Sequence, residues 1–109
     1  MSQSLFAYLD RAPSLDEIAA EMSHLGLQYR HTLPADERWN YPMHVFGRDD
    51  VRVVYHAGDP ARAEAVVNTT VRRGDTPDGA AQLQLVSVRV VQRWGGAVYD
   101  PRMQRTLPH

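Results

Sequence analysis

Residues 42–57, with the sequence PMHVFGRDDVRVVYHA, decide the expected architecture. Apolar and polar residues alternate over 42–47 and again over 51–57, which is the pattern of two half-buried strands. The segment between them, Gly-Arg-Asp-Asp at 47–50, is rich in residues that tolerate turn geometry. The sequence therefore predicts a β-hairpin whose four-residue turn runs from Gly47 to Asp50.

The predicted turn assigns each side chain of the hairpin to one face of the sheet. With four residues in the turn, Phe46 faces Val51 and His44 lies opposite Val53. One face then carries His44, Phe46, Val51, Val53 and Tyr55, and the other carries Arg52, Val54 and His56. The two imidazoles are expected to project from opposite sides of the sheet, which disfavours a shared metal ion.

A helix is predicted upstream of the hairpin, over residues 15–25. Ser14 suits the N-cap position, and Glu17 three residues later completes the pattern of a capping box. Gly26 can adopt the left-handed conformation that ends a helix. The helix has one apolar stripe, formed by Leu15, Ile18, Ala19, Met22 and Leu25. Short strands are predicted on either side of it, at 4–9 and 27–33.

Downstream of the hairpin, residues 59–74 are ambiguous. An Asp-Pro start and a closing glycine are typical of a helix. The run Val-Val-Asn-Thr-Thr-Val within them is instead typical of a strand, because β-branched side chains favour extended backbone. A short turn at 60–63 followed by a strand at 64–72 is the favoured interpretation.

A second helix is predicted to begin at Thr-Pro-Asp, residues 76–78, and to end at Trp94 before two glycines. Four valines between 86 and 91 favour a strand instead, so both alternatives stay open. A last short strand is expected at 97–100. The remaining residues, 101–109, are expected to form a fraying C-terminal tail.

These elements predict one α+β domain over residues 1–100. Two β-α-β halves around a central hairpin indicate an antiparallel sheet with two helices packed on one face, ferredoxin-like in outline. Such an arrangement leaves the other face of the sheet exposed, or available for ligand binding or for forming a homodimer. Fold alone names no function.

Composition excludes several kinds of chemistry. The 12 basic residues are all arginine and cysteine is absent, so disulfides, thiolate catalysis, cysteine-ligated zinc and a lysine Schiff base are ruled out. The net charge of −1 does not favour a nucleic-acid or anionic-membrane partner. Neither a secretory signal nor an apolar run long enough to span a bilayer is visible, so a cytoplasmic location is expected.

No motif indicates catalysis, a metal site or a cofactor. The five histidines lack metal-binding spacing, and no G-x-S-x-G elbow, P-loop or dinucleotide-binding glycine pattern occurs. Two acid pairs have structural explanations, Asp16 and Glu17 in a helix cap and Asp49 and Asp50 in a turn. We therefore expect a non-enzymatic protein without cofactor or metal.

The least explained stretch is the loop before the hairpin, where Trp39 and Tyr41 stand beside Asp36 and Glu37. Tryptophan, tyrosine and arginine are the residue types that dominate interface hot spots. A loop tryptophan also often folds back over the edge of a small core. The binding and the structural interpretation of Trp39 both stay open.

The segment at 94–101, Trp-Gly-Gly-Ala-Val-Tyr-Asp-Pro, resembles the C-terminal part of small bacterial immunity proteins, which neutralise toxins delivered between competing bacteria. The resemblance implies a non-enzymatic α+β protein that blocks a cognate toxin or effector, using acids and aromatics on loops or sheet edges. It implies no catalytic motif. The nearly neutral charge departs from the acidic trend of such proteins, and so does not favour mimicry of a nucleic acid.

Two functional hypotheses follow. The leading one is a protein-binding module of the immunity or inhibitor type, with partner-binding residues Asp36, Glu37, Trp39, Tyr41, Asp49 and Asp50. Its aromatic residues would be desolvated anchors, and its acids would pair with basic residues of the partner. The alternative is a small-molecule-binding or catalytic ferredoxin-like domain, either monomeric or dimeric, with a pocket between sheet and helices. The polar candidates for this pocket are Tyr41, His44, Tyr55 and His56. Convergence of two or more of them in one pocket would favour the alternative.

Overall fold

A computed structural model describes residues 2–37, 40–59, 63–73 and 76–107, apart from the side chains of residues 58 and 59. This part of the chain contains seven strands and two helices. In chain order they are β1 (Gln3–Leu9), α1 (Leu15–His24), β2 (Gln28–Leu33), β3 (Met43–Arg48), β4 (Val51–Asp59), β5 (Ala63–Val71), α2 (Pro77–Trp94), β6 (Gly96–Asp100) and β7 (Arg105–Leu107).

The strands form one antiparallel sheet in the order β2-β3-β4-β5-β1-β6-β7. The predicted α+β class is therefore confirmed. The first strand of the chain lies inside the sheet, between β5 and β6, the two strands that α2 connects. This position brings side chains of β1 next to those of strands far away in sequence.

One hydrophobic core joins alternate strand residues to both helices. In β1, the buried Leu5, Ala7 and Leu9 alternate with the less buried Phe6 and Tyr8. We call the side of the sheet whose residues lie in this core the core face. Its members include Leu5, Ala7, Leu9, Phe46, Val53, Tyr55, Val67 and Val98. The core residues of the helices include Ile18, Met22, Leu83, Val86, Val90 and Trp94. The opposite side, the open face, carries Phe6, Tyr8, Val45, Val54, His56, Val66 and Asn68.

Helix α1 begins at the predicted capping box. The Glu17 amide donates to Ser14 Oγ at 3.1 Å, and the Ser14 amide donates to Glu17 Oε1 at 3.0 Å. Hydrogen bonding from the backbone amide of Ser14, and then from its side-chain hydroxyl, lowers the pKa of Glu17, because donors to the carboxylate favour its ionised form. Gly26, with a φ of +76°, then lets the chain leave the helix.

Helix α2 confirms the helical alternative for residues 77–94. Thr76 Oγ1 accepts a hydrogen bond from the Gly79 amide at 3.1 Å, with proline in the first turn as predicted. The valines that favoured a strand include Val86, Val90 and Val91, all of them buried. Their burial in the core outweighs the small helix penalty of β-branched residues. The strand favoured at 64–72 is confirmed by β5, whereas residues 60–62 lie outside the described part.

The hairpin is confirmed, but its predicted turn is wrong. Only Asp49 and Asp50 connect β3 to β4, since Arg48 pairs with Val51. Asp49 has a φ of +40°, a conformation that short polar side chains tolerate. The register therefore differs from the predicted one by two residues, and side chains keep their faces because the strand repeat is also two.

The C-terminal segment also differs from the expectation of a fraying tail. Residues 105–107 form β7, which pairs with β6 through Val98 and Leu107. The carboxylate of Asp100 accepts hydrogen bonds from the amides of Arg102 at 3.0 Å and Met103 at 3.4 Å. These bonds shape the turn that returns the chain to the sheet. The sequence did not predict β7, because a strand of three residues is too short to show an alternating apolar pattern.

Candidate binding groove on the open face

Of the six residues predicted to bind a partner, five are described by the structure, and they lie in two groups on either side of β3. Asp36, Glu37 and Tyr41 precede β3, whereas the turn acids Asp49 and Asp50 follow it. Because β3 has six residues, the two groups lie roughly 20 Å apart at about 3.3 Å per residue. The structure brings the loop residues to one end of the hairpin and the turn acids to the other.

The loop residues have different surroundings. Asp36 and Glu37 are exposed, and Trp39 lies outside the described residues, so its role as an anchor stays a prediction. Tyr41 is half-buried and stacks on the imidazole of His56, with ring centroids 4.2 Å apart and ring planes 9° apart. The loop therefore contacts the open face of the sheet.

The stacked pair lines a groove of about 560 Å³ on the open face. Most of the lining is apolar or aromatic, and four polar side chains are set among these groups. The groove residues are Phe6, Tyr8, His31, Leu33, Tyr41, Met43, Val45, Arg52, Val54, His56, Val66 and Asn68. They come from five strands and the loop, so no single segment of sequence contains the site.

Strand register forms the floor of the groove from two rows of directly paired residues. One row runs across the sheet as Phe6, Asn68, Val54, Val45 and His31, and the next contains Tyr8, Val66 and His56. Directly opposed residues of antiparallel strands share a face and touch. The floor is therefore built by the rigid part of the fold.

The β1 end of this floor consists of aromatic rings, and Tyr99 of β6 lies next to it. Phe6 and Tyr8 stack with centroids 6.2 Å apart, and Tyr8 lies 6.3 Å from Tyr99 in a tilted arrangement. Their burial is intermediate, whereas the floor residues Val45 and Val66 are only 6% and 3% exposed. The open face thus presents apolar surface that is partly covered by the protein's own side chains.

The polar groups of the groove are basic or neutral. Arg52 and His31 are exposed, and His56 is half-buried beneath Tyr41. The Asn68 amide group donates to the Leu5 carbonyl at 3.1 Å, which holds that side chain in place. Among the described residues that line the groove, none is acidic. The groove therefore has a basic character, although the chain as a whole is nearly neutral.

The other two polar candidates of the small-molecule hypothesis lie on the core face. The Tyr55 hydroxyl donates to the Pro13 carbonyl at 2.5 Å. Burial, with a smaller contribution from the charge of Glu17, raises the pKa of Tyr55 to about 12. His44 Nδ1 lies 2.9 Å from Thr32 Oγ1. These contacts stabilise the fold, and the groove lies on the opposite face of the sheet from His44 and Tyr55.

Of the twelve groove residues, only Tyr41 and His56 were site candidates from the sequence. The other ten were not predicted as site residues, and they include Phe6, Tyr8, His31, Arg52 and Asn68. The alternation over residues 5–9 does place both aromatics of β1 on one face. Nothing in that pattern, however, says which strands lie beside β1.

Within the described ranges, no group of three or more histidine, aspartate or glutamate side chains is placed to hold a metal ion. Neither helix of the described residues has the length and the apolar composition that crossing a membrane requires. Comparison with known proteins gives no match to this chain, whether to family models, to curated proteins or to solved structures.

Proposed function

We propose that the chain is a non-enzymatic binding protein for a small organic molecule, held in the open-face groove. The observation that carries the proposal is the convergence of Tyr41 and His56 in one groove of about 560 Å³. Small-molecule sites are typically concave, mostly apolar and about 300–1,000 Å³ in volume, with a few polar groups that orient the ligand. The groove has each of these properties.

The proposal includes a ferredoxin-like scaffold with both helices on the core face. Its support is the position of β1 between the two strands that α2 connects. Further support comes from Glu21 of α1, which forms ion pairs with Arg89 and Arg93 of α2 at 2.6 and 3.4 Å. Helices packed in this way leave the open face to the ligand.

A neutral fluorescent probe, N-phenylnaphthylamine, tests the proposal because its emission rises in apolar sites. We expect saturable binding with one probe per chain. Leu33→Glu places a charge at the groove and should weaken binding at least tenfold, since burying an unpaired carboxylate against an apolar ligand is costly. Leu33 is 43% exposed, so the substitution leaves the core intact.

Leu85→Glu is the matched control, because Leu85 is 47% exposed and lies on α2, away from the groove. Its probe affinity should equal that of the unmodified chain. Binding that is not saturable, or that falls equally in both variants, contradicts the proposal. Unfolding temperatures of both variants establish that the fold is retained.

A second proposal is a cytoplasmic immunity or inhibitor protein that binds and blocks a bacterial toxin or effector. It is supported by the exposure of Asp36 and Glu37 beside Tyr41, which puts two acids and an aromatic ring at one end of the hairpin. In this proposal Trp39 is the anchor and the acids pair with basic residues of the partner. Homodimerisation through the open face belongs to the same proposal.

Co-expression with the product of the neighbouring gene tests this second proposal. If that product is toxic, the chain should protect the host cell. Trp39→Ala should weaken the complex by about 2 kcal/mol, or about 30-fold, without lowering the unfolding temperature. A lowered unfolding temperature with unchanged affinity would assign Trp39 to the core and contradict the anchoring role.

A further inference from the structure

We propose that the groove selects an amphipathic organic anion, a ligand with a flat apolar body and one acidic group that pairs with Arg52. The inference rests on the proposed small-molecule function and specifies the class of ligand. It is carried by the charge of the groove and by the position of Arg52 beside the apolar floor.

The charge of the lining favours an anion. Arg52 and two histidines line the groove, and no acidic residue does so among the described residues. Glu64, the closest acid along β5, lies two residues beyond Val66 and outside the lining. Within the described part of the chain, no hydrogen bond or ion pair involves the Arg52 guanidinium. Its five donors are therefore available to a ligand.

The sheet register places Arg52 at one end of the apolar floor. Arg52 pairs with Thr70, whose hydroxyl lies 2.8 Å from that of Ser4. Arg52, Thr70 and Ser4 therefore form a polar row across the sheet. The neighbouring row contains Val54, which follows Arg52 by two residues along β4. At about 3.3 Å per residue, the two side-chain positions are roughly 7 Å apart. A ligand with its body over Val54 can reach Arg52 with an acidic group one or two bonds away.

The rings that line the groove favour a flat body. Phe6 and Tyr8 form the β1 end of the floor, and the stacked Tyr41 and His56 contribute further ring surface. Aromatic side chains pack well against planar apolar groups. The guanidinium is itself planar and binds carboxylates and related oxyanions through two parallel hydrogen bonds. Apolar contact thus supplies affinity, and Arg52 supplies selectivity for the charge.

Two probes with the same ring system test the inference. Anilinonaphthalene sulfonate carries one negative charge, and N-phenylnaphthylamine is its uncharged counterpart. We expect the sulfonate to bind about tenfold more tightly than the neutral probe at low salt. Arg52→Gln should remove most of that difference while changing the affinity for the neutral probe less than twofold.

Arg72→Gln is the matched control, because Arg72 is also exposed but follows β5 and does not line the groove. It should leave both affinities unchanged. Added salt should weaken binding of the sulfonate and spare the neutral probe, since salt screens the pairing of exposed charges. Near-ultraviolet circular dichroism of each variant verifies that the core is intact.

The possible outcomes separate the two proposals. If the neutral probe binds in a Leu33-dependent way and Arg52→Gln does not affect the sulfonate, the anion inference is overturned and the small-molecule function stands. The anion inference is also overturned, and the small-molecule function also stands, if Arg52→Gln weakens the binding of both probes equally. If neither probe binds in a Leu33-dependent way, both proposals are overturned. A sulfonate-specific loss in Arg52→Gln alone supports the inference.

Discussion

At the scale of single residues, Tyr55 links the sheet to the loop that precedes α1. Its ring lies in the core with 3% of its surface exposed, and its hydroxyl donates to the Pro13 carbonyl. A buried phenol is stable only as the neutral, hydrogen-bonded form, so burial raises the pKa from 10.0 to about 12. The sequence predicted the face of Tyr55 correctly, but not this partner.

Tyr55→Phe should lower the free energy of unfolding at pH 7 by about 1 kcal/mol, because the Pro13 carbonyl loses its donor. The pH dependence should change as well. In the unmodified chain the contribution of Tyr55 is complete below pH 10 and is lost as the pH rises through the folded-state pKa of about 12. Stability should therefore fall less steeply between pH 10 and 12 in the variant.

Urea unfolding at a series of pH values measures both effects. Tyr29→Phe is the control, since Tyr29 is 49% exposed on the edge strand β2. In that variant the free energy of unfolding should fall between pH 10 and 12 as steeply as it does in the unmodified chain. If the free energy of unfolding of Tyr55→Phe falls equally steeply over this pH range, the loss of stability does not come from the Tyr55 hydroxyl.

At the scale of elements, the step from α2 to β6 depends on a glycine. Gly96 has a φ of +131° and pairs with Leu9. A Cβ atom at this position would lie 1.9 Å from the Tyr8 carbonyl oxygen, which belongs to the backbone of the neighbouring strand. The strand cannot move away without breaking its pairing, so only glycine fits here.

Gly96→Ala should lower the free energy of unfolding by about 3 kcal/mol or more, from backbone strain and from displacement of β1. Gly26→Ala is a matched control with a positive φ of +76° but with only the Arg48 side chain nearby, at 3.6 Å. That variant should lose about 1–2 kcal/mol, the cost of left-handed backbone alone. Equal losses in denaturant unfolding would contradict the predicted clash.

Most elements were predictable because their signals are local. The capping box at Ser14 and Glu17, and the threonine and proline that begin α2, act within one helical turn. The hairpin turn was mispredicted because Gly47 to Asp50 all tolerate turns, and only the pairing of Arg48 with Val51 selects the shorter one. Strand β7 was missed because it exists only where β6 supplies a partner.

At the scale of the whole molecule, a buried acid joins the two helices. Glu21 of α1 is 4% exposed and accepts a hydrogen bond from Arg89 Nε of α2 at 2.6 Å, with Arg93 at 3.4 Å. Both arginines are about half exposed, so the ion pairs are screened by water on one side. The cluster fixes the position of α1 relative to α2 and belongs to neither helix alone.

Glu21→Gln should lower the free energy of unfolding by about 1–2 kcal/mol, less than a fully buried pair because the arginines can reach water. A double-mutant cycle with Arg89→Gln should give a coupling energy of about 1 kcal/mol. Glu64→Gln, at an exposed acid of β5, is the control and should stay within about 0.5 kcal/mol. Additive effects of Glu21 and Arg89 would show that the contact contributes nothing.

The sequence by itself determined the α+β class, helix α1, most strands and the face on which each hairpin side chain lies. For residues 77–94 it left helix and strand both open. Caps, turns and side-chain periodicity act between residues a few positions apart, so they can be read along the chain. That is why His44 and His56 were placed correctly on opposite faces despite the wrong turn length.

Only the tertiary structure decided where a ligand can be held. The order of the strands sets Phe6 beside Asn68 and Asn68 beside Val54. The hairpin and β2 extend this row through Val45 to His31, so five strands contribute to one floor. The length of β3 separates the loop acids from Asp49 and Asp50, and the pairing of β4 with β5 places Arg52 at the border of the floor. Such neighbours are set by long-range strand pairing and by burial of the core face, and no local pattern encodes them.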